Sequence, residues 1–218
     1  MHWAPCTLFD AATFGTYLAA AAALVAAPGP GQALVMARTL QGGLRAGLLT
    51  SVGLNLGTVL HTVAAALGLS ALLLASATAF TVVKLVGAVY LVVLGARMFL
   101  ATLRERPAVS PEGLESGAPR IVRSRLLLHG ALTGVLNPKV ALFFLAFLPQ
   151  FVRPERGAVF VQFMILGLVL ATLGVTGDSL VAVIAARTGR RMVAAAWRER
   201  LTGTVLVALG VRLALIQR

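Results

Sequence analysis

From Ala46 to Val83 the chain carries no Asp, Glu, Lys or Arg. So long an apolar run exceeds the about 20 residues that one helix needs to cross a bilayer. Water cannot be its solvent, because nothing in it supplies a polar outer surface. It has to fold back on itself, and the small residues Ala75-Ser76-Ala77-Thr78 mark the turn between a second and a third span.

The rest of the chain repeats this pattern. A first span runs from about Phe14 to Met36 and the second to about Leu74. The third ends near Leu103, the fourth covers Leu126 to Phe151, the fifth Val159 to Ala186, and a short sixth Leu201 to Ile216. Composition agrees: 59% of residues are hydrophobic and 12% charged, against about 25% charged in soluble domains. The net charge of +12 would suggest a nucleic-acid partner in a soluble protein. Here the arginines sit in short clusters between apolar runs, which is a topology signal instead, and no nucleic acid is expected.

The clusters alternate from loop to loop. Arg38 and Arg45 follow span one; Arg104, Arg106, Arg120, Arg123 and Arg125 follow span three; Arg187, Arg190, Arg191, Arg198 and Arg200 follow span five. Only Arg153 and Arg156 lie between spans four and five. The positive-inside rule places the rich loops in the cytoplasm and both termini outside. No Lys or Arg precedes Arg38, so the first apolar run lacks the basic start of a signal peptide and reads as a retained span. The expected fold is an all-α integral membrane protein with N-out/C-out topology. Residues 1–103 make one three-helix half, 104–125 a hydrophilic Pro/Gly linker, and 126–218 a second half of opposite orientation.

The halves echo each other. Leu94-Gly95-Ala96-Arg97 ends span three and Leu209-Gly210-Val211-Arg212 ends span six. Span one is interrupted by Ala27-Pro28-Gly29-Pro30-Gly31, and span four by Asn137-Pro138-Lys139. Proline lacks an amide hydrogen and clashes with the preceding turn, so each break frees backbone groups from the helix ladder. Within a bilayer such groups persist where they line a polar cavity or meet a ligand. Matched breaks in two inverted halves mark a transporter's central site; taken singly, each proline reads as a packing kink.

Four polar groups inside the spans matter most. A charge at mid-bilayer costs roughly 2.5–3.5 kcal/mol on insertion scales, so it usually faces a cavity or a partner. Lys139, next to Pro138, would attract a substrate carboxylate or pair with Asp178, the one acid within a span. A lone intramembrane carboxylate suits a proton carrier, and an ion pair with Lys139 is its structural alternative. His61, about two turns after Asn55, is of the side-chain type able to exchange a proton near neutrality, or simply bonds a neighbouring helix. Lys84 is near enough to a span end to snorkel, as is Arg97. Gly53 and Gly57 form a GxxxG, which brings helices close within the fold or across a homodimer. Cys6 is the only cysteine, so there is neither an intramolecular disulfide nor a Cys-type metal site. No nucleophile–base set or phosphate loop points to an enzyme, and no cofactor is expected.

Taken in order, these motifs resemble the LysE/RhtB family of amino-acid exporters. The likeness runs through Pro28-Gly29-Pro30, Gly42-Gly43-Leu44-Arg45-Ala46-Gly47, Gly53, Gly57, His61, Gly68, Lys84, Gly87 and Tyr90-Leu91. It is most specific in Asn137-Pro138-Lys139-Val140-Ala141-Leu142-Phe143-Phe144 and Leu148-Pro149-Gln150-Phe151, and it ends on Gly203 and Leu209-Gly210. Asp178 stands where family members often carry an acid, followed here by Ser179-Leu180-Val181 in place of the usual aromatics. The resemblance implies six spans in two inverted repeats, a bacterial cytoplasmic membrane, and efflux of amino acids or derivatives driven by the proton motive force. The substrate pathway is expected at Pro28, Gly29, Pro30, Asn55, Asn137, Pro138 and Lys139, with Asp178 and His61 coupling protons. Three rivals stand beside it: a heavy-metal or other small-metabolite exporter of the same superfamily, a non-transporting membrane scaffold, and a thiol–disulfide carrier. The last needs a cysteine pair within the spans.

Overall fold

A computed structural model describes residues 8–76 and 122–189, together with Thr78, Val82, Leu85, Val89 and Val93. The expected sixth span, the linker at 104–121, Lys84, Arg97 and Cys6 lie outside the described residues, as does most of the third span. Every regular element among the described residues is helical.

Asp10 starts α1 (Ala11–Ala26) by accepting from the Thr13 amide at 2.7 Å and from its hydroxyl at 2.8 Å. The helix stops where the sequence predicts, at Ala27-Pro28-Gly29. Pro30 then opens α2 (Pro30–Ala75) from the first helical position. At 46 residues, α2 would be roughly 70 Å long if straight, over twice a bilayer's hydrocarbon core. It is not straight. Gly43 adopts φ 76°, a left-handed conformation open to glycine, and the chain doubles back there. A methyl on Gly47 would strike Thr39, and one on Gly31 would lie 3.2 Å from Leu54. The two arms, residues 30–42 and 44–75, therefore run alongside each other.

The second broken helix begins with α3 (Arg123–Val135). Asn137 caps its continuation α4 (Pro138–Leu142), which passes into a π-helical turn (Phe143–Phe147) and a 3-10 turn (Leu148–Phe151). The two sides of this break meet at 46°. The last described helix, α5 (Val159–Thr188), is unbroken. By length and apolarity, residues 30–69 and α5 are candidate membrane spans, and the bent α3–α4 pair makes a third.

The long arm of α2 shows how one helix serves three neighbours. Val52, Leu56, Leu60, Val63 and Leu67 recur at helical spacing and are exposed, which suits lipid and not water. Val82, Leu85, Val89 and Val93 continue this kind of surface. Ser51, Asn55, Thr58 and Thr62 are buried on the face toward α5, where Gly167 and Gly174 make room for Thr62 and Asn55. Gly53 and Gly57 face α3, and there they meet a second GxxxG, Gly130 and Gly134. A methyl on Gly57 would lie 2.6 Å from the Val135 nitrogen, and one on Gly130 2.6 Å from the Thr50 carbonyl. The GxxxG is thus spent inside the fold.

One end of the bundle is an aromatic core. Tyr17, Phe143, Phe147 and Phe151 pack ring against ring with centroids 4.9–6.3 Å apart. Tyr17 spends its buried hydroxyl on the Leu166 carbonyl. Gln162 ties the loop before α5 by exchanging hydrogen bonds with the Arg153 backbone at 2.9 and 2.8 Å.

Candidate functional site

Backbone accounting explains why the two breaks come together. In a helix the Leu24 carbonyl would accept from residue 28, which is proline, and Val25 and Ala27 have lost partners beyond the break. All three are satisfied from elsewhere. The Lys139 ammonium donates to the Leu24 carbonyl at 2.7 Å and to that of Ala27 at 2.8 Å. Gln32 donates to Val25 at 2.6 Å. Lys139 is 9% exposed, so its charge is housed at the negative end of the α1 dipole.

The second break follows the same logic. Pro138 offers no amide to Gly134. The Lys139 amide, which would have served Val135, bonds the Asn137 side chain instead, at 3.1 Å. The Val135 carbonyl is met by His61 Nε2 at 3.0 Å.

Between the breaks lies a cavity of about 60 Å³. Its polar wall carries Lys139, Asp178, Asn55, Asn137, Gln32 and Thr58. Its apolar wall carries Leu24, Val25, Leu54, Val140 and Leu170, with glycines 29, 31, 134 and 174 between. Asn55 positions the half-buried Asp178: its amide donates to the carboxylate and to the Ser51 carbonyl, each at 3.0 Å. Among the described residues, Lys139 and Asp178 form no direct ion pair. They face one cavity, each on neutral partners of its own.

Of the residues singled out from the sequence, Gly29, Asn55, Asn137, Lys139 and Asp178 line this cavity. Pro28, Pro30 and Pro138 shape its ends without lining it. His61 lies outside the lining, with its ring 5.9 Å from that of Phe144. Sequence reasoning passed over Gln32, Thr58, Gly134 and Gly174. Gln32 follows the first break directly, and Gly134 repeats the Gly53/Gly57 spacing; both signals were present in the sequence.

Apolar helices broken around a polar cavity are the architecture of a candidate membrane transport protein. The LysE type translocator family model matches residues 22–217, and the chain belongs to that family. It is 31% identical over 205 residues to the uncharacterized membrane protein YrhP of Bacillus subtilis, covering 90% of this chain and 95% of that one. It is 33% identical over 174 residues to an uncharacterized membrane protein of Vibrio cholerae, covering 80% and 81%. A leucine efflux protein of Klebsiella pneumoniae is 29% identical over 213 residues, covering 96% and 98%. No solved structure matches the chain.

Proposed function

We propose that this protein exports aliphatic amino acids or close derivatives across a bacterial cytoplasmic membrane, exchanging them for protons. In this reading six transmembrane helices form two inverted three-helix halves, 1–103 and 126–218, with both termini outside. The observation that carries it is the charge content of the cavity. One ammonium and one carboxylate face a space otherwise lined by neutral polar groups and aliphatic side chains. That set suits a zwitterion with an apolar side chain, and offers no second acid to a basic one. The similarity to the Klebsiella leucine efflux protein points the same way.

The α-ammonium of the substrate sits at Asp178 beside Asn55. Its carboxylate takes the Lys139 N–H not spent on Leu24 and Ala27, together with Asn137 and the amides opening α2. The side chain lies against Leu24, Leu54, Val140 and Leu170. A cavity of about 60 Å³ holds a few waters, well under the about 300 Å³ and upward of ligand pockets, so loading requires the walls to part. The aromatic core around Tyr17 closes the outer side. The inner side is closed by the small cluster of Val35, Leu54 and Ala182. A proton reaching Asp178 from outside neutralises the carboxylate, weakens its hold on the ammonium and releases the substrate there; the proton is then given up inside.

The test is efflux. Cells loaded with a panel of dipeptides are followed for amino acids in the medium, with and without a protonophore. Release of aliphatic amino acids above an empty-vector control is expected, and is lost with the protonophore and in Asp178→Asn at equal membrane content. Normal export by Asp178→Asn sinks the proton-coupling role. No excess release across the panel sinks the exporter reading.

A further inference from the structure

The two breaks are capped reciprocally. The α1 end lies in residues 8–76 and takes its cap from Lys139, in 122–189. The α3 end lies in 122–189 and takes its cap from His61, in 8–76. Neither cap is incidental. Leu24 is orphaned because position 28 has no amide, and Val135 because the Lys139 amide is committed to Asn137. Each side chain therefore meets a carbonyl that the sequence of the other segment has freed.

The chemistry of the second cap is specific. A carbonyl oxygen can only accept, so His61 Nε2 must carry the hydrogen. It donates with Nδ1 protonated or bare, so the contact does not require a charged ring. A neutral amide of similar reach can take its place. The ring also stacks on Phe144, with planes 24° apart, in the π-helical turn that follows the restarted helix. His61 thus contacts the last helical carbonyl of α3 and an aromatic of the segment that continues beyond the break.

We propose that His61 is a positioning residue: it fixes the α3–α4 break, which carries Asn137 and Lys139, by hydrogen-bond donation and stacking and not by carrying a proton. This rests on the exporter reading for its transport assay. Its purpose there is to hold Asn137 and Lys139 at the cavity while the two segments move.

The experiment compares wild type, His61→Gln and His61→Leu in cells loaded with alanyl-leucine, with leucine efflux followed across a range of external pH. Membrane content is matched by immunoblot. His61→Gln is expected to stay within about twofold of wild type with an unchanged pH profile, and His61→Leu to lose about tenfold or more. Thermal unfolding in detergent reads the cap without transport: Leu lowers the midpoint and Gln restores it. The proposal is overturned if Gln is as defective as Leu, if Gln alters the pH profile, or if Leu transports and unfolds like wild type. Should Leu fail to accumulate, the Gln variant's rate and pH profile decide alone. Should wild type release no leucine, leucine is not its substrate, and the unfolding midpoints still decide whether His61 holds the break.

Discussion

Two alanine substitutions on one helix should have opposite signs. Gly57 and Gly68 both lie in the long arm of α2, and both glycines forgo the about 1 kcal/mol of helix propensity that alanine supplies. Around Gly68 nothing among the described residues lies within 4 Å of a new methyl, so Gly68→Ala should keep most of that gain. At Gly57 the methyl lies 2.6, 2.7 and 2.8 Å from three backbone atoms of α3. Backbone cannot rotate away. Ordinary contact begins at 3.4 Å, so the helices must part by about 0.8 Å, the difference between 3.4 and 2.6 Å. Overpacking of this kind costs about 1–3 kcal/mol. Lipid does not push the helices back together, since tails are as apolar as the side chains they replace. The net expectation is a loss of up to about 2 kcal/mol for Gly57→Ala against a gain of up to about 1 kcal/mol for Gly68→Ala. At about 2–4 °C per kcal/mol for a chain of this size, the midpoints should differ by several degrees. Heating fluorescent fusions in detergent and measuring the surviving monodisperse peak reads the difference. Equal shifts in the two variants, or a higher midpoint for Gly57→Ala, would refute the close contact of α2 with α3. A change of oligomeric state in Gly57→Ala, without loss of stability, would move the GxxxG to an interface between copies.

Lys139→Met should separate folding from transport. It strands two carbonyls, at about 1–3 kcal/mol each, but removes a charge costing roughly 2.5–3.5 kcal/mol in the membrane. The terms nearly cancel, so membrane content should hold within about twofold while efflux is lost; normal efflux would remove Lys139 from the substrate pathway. At the start of α1, the Thr13 amide and hydroxyl and the nearby Arg156 hold the Asp10 carboxyl below its ordinary value of 3.8. A depressed folded value means that the contribution of its charge is complete above the ordinary value and is lost as pH falls from there through the depressed one. Asp10→Ala should therefore lower the unfolding midpoint more at pH 7 than at pH 3, with Asp10→Asn restoring the neutral part of the cap at pH 7.

Much of this protein is legible in its sequence, because a bilayer permits so few solutions. Helical class follows from apolar runs with no polar surface. The places where two helices must break follow from Pro28, Pro30 and Pro138, since a missing amide is a covalent fact. Even the orphaned Leu24 carbonyl can be counted four residues back from Pro28. The sequence also marks Lys139, Asp178 and Asn55 as polar groups needing a cavity or a partner. It does not say which partner. Lys139 had two readings, a substrate cation or an ion pair with Asp178, and the structure adds a third, a cap on carbonyls more than a hundred positions earlier. The Gly53/Gly57 motif left contact within the fold and contact across a dimer open. Its match with Gly130 and Gly134 depends on how the α2 arm lies against α3, which no local pattern encodes. His61 could titrate or could bond a neighbour, and only the packing of that same pair puts the Val135 carbonyl against its ring. Covalent geometry and solvent choose the elements and their breaks; which freed group meets which side chain is a three-dimensional outcome, because those contacts join residues far apart in the chain.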